Sequence, residues 1–432
     1  MNGSRSPVIL AMAALQGALG ALGTVGAVGA VLGLAPPAVE AAPIYRQRVL
    51  VDGLRNPRGL SLDGSRLLVS EAGAGGPRLS DGSNCIQAGS GAEICSGPTG
   101  AIGLWNTLSH TYARPIANLP SLARADGSEG SGIADLWPGG PTGWLGVFGL
   151  GCDPGQATIG SLGSDWFGQV VSVDLASGAI QPRANLAAYE LTNNPDGETP
   201  PNSNPYALAL FGGALVAPDA GGNTAIRLDP TPDPIDGTFP ILGSFVFPRI
   251  PVTPPPFPPG LPNPFPAEAV PTGLTVDPSG STLWIGELAG YPFEPGSASV
   301  FRTDGNGAPS PALAGFTSIT DLASAADGSL YVLQYAESFF QPAGNGSIWR
   351  VAPDGSRARI IDGLTQPTGL AVADDGTLYV TNNADGLQGE LREYRPVVPG
   401  PLPVVGAAVA WRQARRMRRR QQPQRRRQRQ AP

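Results

Sequence analysis

Pro367-Thr-Gly-Leu-Ala-Val-Ala-Asp-Asp-Gly-Thr-Leu-Tyr-Val-Thr-Asn382 is the stretch that decides the fold. Leu370-Ala-Val372 alternates as a strand does, Asp374-Asp-Gly376 supplies a hairpin turn, and Leu378-Tyr-Val380 is a second strand. The phrase returns in Pro57-Arg-Gly-Leu60 to Glu71, Pro271-Thr-Gly-Leu274 to Glu287 and Ile319-Thr-Asp-Leu322 to Gln334. Fainter copies begin at Ile133-Ala-Asp-Leu136 and Pro205-Tyr-Ala-Leu208. The copies start at residues 57, 133, 205, 271, 319 and 367, so the last two steps are 48 residues and the first three 76, 72 and 66. A four-stranded propeller blade takes about 40 to 50 residues. The reading is therefore an all-β, six-bladed β-propeller whose early blades carry insertions of roughly 20 to 30 residues.

Third strands are read at residues 168–173 and 346–351, and a fourth at 358–361. The sixth copy runs out after Tyr394 with no fourth strand, whereas Arg48-Val-Leu-Val51 precedes the first copy and has no blade of its own. This N-terminal strand is expected to complete the last blade, closing the ring and hiding two sheet edges. The Pro-rich run from Pro248 to Pro266 reads as an extended excursion on the surface. Trp284 and Trp349 sit within strand patterns and read as packing between blades.

Both ends differ from this body. Arg5 precedes an uncharged stretch from Pro7 to Val39, and small residues flank a cut after Ala41, the layout of a secretory signal, with an uncleaved anchor as the alternative. Residues 1–41 are read as leader, 44–396 as propeller, 397–411 as a Pro-rich and apolar segment, and 412–432 as an Arg-rich tail. About ten apolar residues cannot cross a hydrocarbon core as a helix. The order Pro-Gly-Pro, apolar run, arginine cluster resembles the PEP-CTERM-like sorting tails of exported proteins, although the Gln/Arg stretch after Arg420 departs from that pattern, and a plain basic tail is the alternative. The resemblance implies membrane contact through the tail, with the arginines on the cytoplasmic side. Localisation is thus expected to be periplasmic or extracellular.

All 28 basic residues are arginine, and His110 is the one histidine, which excludes a Schiff-base lysine and a multi-histidine metal site. Ten arginines lie between Arg412 and Arg429. Between residues 43 and 400 there are 17 arginines against 33 carboxylates, a net of −16, which argues against a nucleic-acid surface.

Several passages resemble the ScyD/ScyE family. They include Val51 to Leu60, Gly73-Ala-Gly-Gly76, Pro98 to Ile102, Asn193-Asn-Pro-Asp-Gly197, Ser203-Asn-Pro-Tyr206 and Asp219-Ala-Gly-Gly-Asn223. The resemblance runs from about residue 47 to 395 and implies an exported NHL-like propeller associated with an extracellular pigment of the scytonemin type, acting in binding or assembly. It carries no catalytic residues.

In a propeller the second strands end on the face where the blade-to-blade connections also emerge. Glu71, Asp219, Glu287 and Asn382 stand at those ends, Asp135 and Asp321 at the start of inner strands, and Arg58 beside them. These seven are the candidate ligand-binding residues, and Arg58 is expected to pair with Glu71. Glu71, Asp219 and Glu287 are candidate oxygen ligands for Ca²⁺ or another divalent cation. Such an ion would suit a lactonase of the SMP-30/gluconolactonase type. The competing reading makes the acids strand-end residues bonded to backbone, in a non-catalytic protein whose partner is a small molecule or an envelope protein. A purely structural surface protein is a third. Cys85 and Cys95 enclose a Gly/Ser-rich loop and are expected to form a disulfide, leaving Cys152 as the odd thiol.

Overall fold

The computed structural model describes residues 44–139, 143–156, 162–233, 237–255, 259–341 and 344–397. The expected leader and, beyond Val397, the sorting segment and arginine tail lie outside the described residues. No helix among the described residues is long and apolar enough to cross a membrane.

The described residues form six four-stranded antiparallel blades, blade 1 carrying an extra short strand, and a separate two-stranded hairpin. Blade 1 contains Pro57–Asp63, Arg66–Glu71, Glu93–Asn106 and Thr111–Ala123, and blade 2 contains Ile133–Pro138, Trp144–Phe148, Gln169–Val173 and Ile180–Asn185. Blade 3 is Ala209–Phe211, Ala214–Asp219, Thr224–Leu228 and Ile241–Val246, and blade 4 is Pro271–Val276, Leu283–Glu287, Ala298–Thr303 and Ser310–Phe316. Ile319–Ser324, Leu330–Gln334, Gly346–Val351 and Arg357–Leu364 form blade 5. Blade 6 takes Leu370–Val372, Leu378–Asn382 and Gly389–Pro396 from the C-terminal end and Tyr45–Leu54 from the N-terminal end, so the ring closes as the sequence implies.

The second strands explain the Leu-aromatic-Val signature. Every residue of Leu330–Gln334 and Leu378–Asn382 is buried, because a blade presses on each face. Such strands read as continuous apolar runs, with no alternation left to see. Six hydrophobic clusters accordingly sit one between each pair of neighbouring blades. Leu67 and Val69 of blade 1 pack with Tyr379 and Leu391 of blade 6, while Leu68 faces blade 2 through Ile133 and Val171. Trp284 and Trp349 pack in the cluster between blades 4 and 5, as read from their strand pattern. The hairpin turns use glycine where the chain needs a positive φ, as at Gly328 (83°) and Gly376 (80°).

Insertions fall between second and third strands in blades 1 and 2 and between blades 2 and 3 and blades 3 and 4, and blade 3 also has a long connection, residues 229–240, between its third and outer strands. In blade 1 the insertion is a flap pinned by Cys85–Gln87 against the third strand; in blade 3 the Pro-rich excursion includes a hairpin of Ile250–Val252 and Phe265–Ala267. Between blades 2 and 3 lies the helix Leu186–Asn193, started by the Asn185 side chain accepting from Ala188 N–H and ended by Asn194 in the left-handed region.

Candidate functional site

The polar residues that end the second strands turn out to share a structural task. Glu71 accepts from Arg55 N–H at 3.0 Å, Asp219 from Asn204 N–H at 2.6 Å, Gln334 from Thr317 N–H at 2.6 Å and Asn382 from Thr365 N–H at 2.8 Å. In four blades, then, this side chain fastens the loop that leads into its own blade. Glu71 is fully engaged, its remaining acceptor sites taken by Tyr112 Oη at 2.7 Å and by Arg114 at 2.6 and 2.9 Å. Arg58 therefore does not pair with Glu71; the guanidinium facing that carboxylate comes from the outer strand, at Arg114.

Asp219 also takes Ser203 Oγ and the N–H groups of Gly221 and Gly222, and burial raises its pKa. Glu287 accepts only from Ser299 N–H, its Oε1 has no partner among the described residues, and burial pushes its pKa up to about 8. Glu71, Asp219 and Glu287 do not form a set of ligand atoms within 4.8 Å of one another. Among the described residues the one Cys/Asp/Glu/His set with ligand atoms within 4.8 Å of one another is Cys85, Glu93 and Cys95, and its two thiols are consumed in a disulfide.

Asp135 and Asp321 do come to the axis. They occupy the same ring position in blades 2 and 5, opposite one another, and each links three blades. Asp135 Oδ2 accepts from Leu208 N–H of blade 3 at 3.0 Å, and its Oδ1 fills the space a Cβ on Gly59 of blade 1 would need. Asp321 repeats this with Leu370 N–H of blade 6 at 2.7 Å and Gly273 of blade 4. Burial pushes the Asp135 pKa up to about 7; burial and the charge of Asp135 raise that of Asp321.

One residue earlier in each inner strand, the blades differ: blades 4, 5 and 6 carry threonine and blade 2 carries Ala134. Thr272, Thr320 and Thr368 each donate through Oγ1 to a carbonyl of the next blade, at 2.7, 3.0 and 2.7 Å. Blades 1 and 3 place Arg58 and Tyr206 there instead, and both line a cavity of about 500 Å³. Arg58 donates to the carbonyls of Ala384 and Gly130, both at 2.6 Å, and to Pro57 at 3.3 Å, which leaves Nε–H and one Nη2–H without a partner among the described residues. No carboxylate pairs with it among those residues.

The cavity draws on all six blades. Gly89 and Ile94 come from the flap, Leu150 and Asn202 from around blade 2, Val270 and Phe293 from around blade 4, and Tyr335, Phe340 and Asp385 from blades 5 and 6. Aromatic rings form one wall. Phe293 stacks on Phe339 at 3.9 Å, Tyr335 lies 5.6 Å from Phe339, and Phe340, 66% exposed, closes against Phe293 at 5.9 Å. Val270 and Phe293 hold φ of 53° and 58°, strain that collects at functional sites. Burial, with Asp385 nearby, pushes the Tyr335 pKa up to about 12, so it stays a phenol at neutral pH. Tyr206, Tyr335, Phe293 and Phe340 were missed in the sequence; the departure from Thr at position 206 was the available signal.

Cys85 and Cys95 form the expected disulfide and face each other directly across the flap ladder. Cys152 is a buried thiol whose pKa burial and Asp153 push up to about 12. His110 sits in the turn between the third and outer strands of blade 1, away from the cavity.

No family model matches the chain, and no curated protein matches it significantly. Solved structures similar to it include a glucose dehydrogenase (15% identity, TM-score 0.45, covering 82% of this chain and 100% of the other). A gluconolactonase from Xanthomonas campestris is 12% identical with a TM-score of 0.44 over 84% of this chain and 93% of its own. Virginiamycin B lyase from Staphylococcus aureus is 12% identical with a TM-score of 0.43 over 82% and 99%. Likeness at this level says nothing about chemistry.

Proposed function

We propose that this chain is an exported, non-catalytic propeller that binds a small aromatic molecule carrying an anionic or carbonyl group at the mouth of its central channel. One observation carries the reading: where blades 4, 5 and 6 keep a bridging threonine, blades 1 and 3 carry the larger, functionalised side chains of Arg58 and Tyr206, which line a cavity together with Tyr335, Phe293 and Phe340. An arginine with spare donors suits a carboxylate or carbonyl, and the rings suit a flat ligand. The insertions of the first three blades deepen this one rim, and its volume fits a small organic molecule.

Export, tethering through the tail and a place beside an extracellular pigment or an envelope protein belong to the same reading. Their supports are the Cys85–Cys95 bridge, which suits an oxidising compartment, and the sequence resemblances described above. The lactonase reading needs carboxylate oxygens free to share an ion in the channel, and the bonds held by Glu71 and Asp219 work against it.

The test is thermal shift with 4-hydroxybenzoate and indole-3-acetate beside their uncharged analogues phenol and indole. The charged aromatics should raise the melting temperature of the wild type and not of Arg58→Gln. Shifts of equal size in both proteins, or none with any compound, would overturn the assignment.

A further inference from the structure

The connection between blades 2 and 3 gathers oxygen atoms that the fold leaves without donors. Eight buried side-chain polar atoms among the described residues have no hydrogen-bond partner, and four belong to Glu190 (Oε1 and Oε2), Asn194 (Oδ1) and Asn202 (Oδ1). All four are acceptors, and Glu190 is 0% exposed. A carboxylate buried with neither oxygen bonded is costly to keep unless a cation or a proton compensates it.

The local backbone brings some of these oxygens to one turn. Glu190 lies in the last turns of the helix Leu186–Asn193, and Asn194, the residue that ends the helix in the left-handed region, donates its backbone N–H to the Glu190 carbonyl. Opposite is the Gly221-Gly222 turn, whose lack of side chains is enforced by these oxygens. A Cβ on Gly222 would stand 2.6 Å from Glu190 Oε2 and 3.5 Å from the Asn202 carbonyl, and one on Gly221 would stand 2.9 Å from Asn202 Oδ1. Glu190 Oε2 and the Asn202 carbonyl are thus no further apart than the first two distances combined.

The charges around the turn add to the case. Burial above all, and then the charges of Asp219 and Asp196, push the Glu190 pKa up to about 8. Arg249, whose charge is felt at Asp196, is already paired with Glu198. Asp219 spends its oxygens on the N–H groups of this same turn, and Asp196 on Glu198 N–H and Asn223 Nδ2, so both supply field without supplying a proton donor to Glu190.

We propose that Glu190, Asn194 and Asn202 hold a calcium ion between the helix and the Gly221-Gly222 turn. The donors are a carboxylate, two amide oxygens and a main-chain carbonyl, all hard, with no sulfur or imidazole among them. That set suits Ca²⁺, which tolerates irregular oxygen coordination, better than Mg²⁺ with its strict octahedron or Zn²⁺ with its nitrogen and sulfur preference. Because Asn202 also lines the channel cavity, the ion would fix that part of the wall. The proposal does not rest on the ligand proposed above, although the two sites share Asn202.

Isothermal titration of the EDTA-treated full-length protein with CaCl₂ tests the site. One equivalent should bind, and saturation should raise the melting temperature by roughly 4 °C. Glu190→Gln should weaken binding at least tenfold. Should that variant be recovered unfolded, Asn202→Ala makes the same comparison, with a smaller loss of affinity expected. No uptake of Ca²⁺ by the wild type, or unchanged affinity in the folded variant, would overturn the proposal.

Discussion

Glu71 and Glu287 occupy the same repeat position, and their surroundings predict opposite responses to one substitution. Glu71 is 1% exposed and faces Arg114, Tyr112 and the Arg55 N–H. Glu71→Gln replaces an acceptor with an amide donor against those groups and should cost on the order of 2–3 kcal/mol, the half-exposed Arg114 moderating the loss. At Glu287 the folded protein holds the pKa at about 8, above the ordinary glutamate value, so folding at pH 8 is penalised by keeping the proton on. Glu287→Gln removes that penalty and should stabilise the protein by on the order of 2 kcal/mol at pH 8, with little effect at pH 4.5. Urea unfolding of the two variants at both pH values checks the pair, and a loss of stability in Glu287→Gln at pH 8 counts against the assignment. The identity of these acids was legible from the repeat, but the direction of their side chains was not. A strand-end residue can turn to the channel or back to its own leading loop, and the choice rests on whether that loop offers an N–H, as Arg55 and Asn204 do. The Glu190 cluster was beyond the repeat altogether, since the helix has no counterpart in the other blades.

Strands were the most legible elements because the blades repeat similar local instructions: a small residue, an apolar alternation, a glycine-bearing turn, Asp-Gly in blades 1, 5 and 6, and a second strand buried on both faces. The closing strand was legible by a shortfall, the sixth copy lacking a partner that Tyr45–Leu54 provides. Removing residues 44–54 should uncover the edge of Gly389–Pro396 and one side of the cluster that includes Leu54 and Leu391. The expected result is loss of a cooperative melting transition and aggregation in size-exclusion chromatography, since an open edge recruits other chains. Appending the same residues after Pro396 should restore the cooperative transition and the elution position of the wild type, because the strand joins the blade there in either connection. A truncated protein that melts as the wild type does would show that the ring does not depend on this strand. The flap is a smaller unit. Its disulfide closes a sequence separation of 10 residues, so the double variant Cys85→Ser, Cys95→Ser should lose about 2–3 kcal/mol.

Across the whole molecule, burial of carboxyl groups sets the response to pH. Asp135, with its pKa raised to about 7, and Glu190 and Glu287, each raised to about 8, all ionise more readily in the unfolded chain. Their contribution to stability is complete below the unfolded carboxyl pKa of about 4 and declines as pH rises through 7 and 8, because the unfolded state gives up protons that the folded state retains. Turn aspartates such as Asp126 and Asp174 behave oppositely. Their serine and backbone partners hold the pKa down, so their contribution is lost only as pH falls below about 4. The melting temperature, measured in EDTA so that no ion resets Glu190, should therefore peak near pH 5 and fall toward pH 8. Self-repulsion in a body with a net charge of −16 acts in the same direction. Salt separates the two causes: surface repulsion is screened at 1 M NaCl, whereas the proton balance of buried groups is not. A decline from pH 5 to 8 that persists at high salt supports the buried acids as its source, and one that disappears there assigns it to the surface.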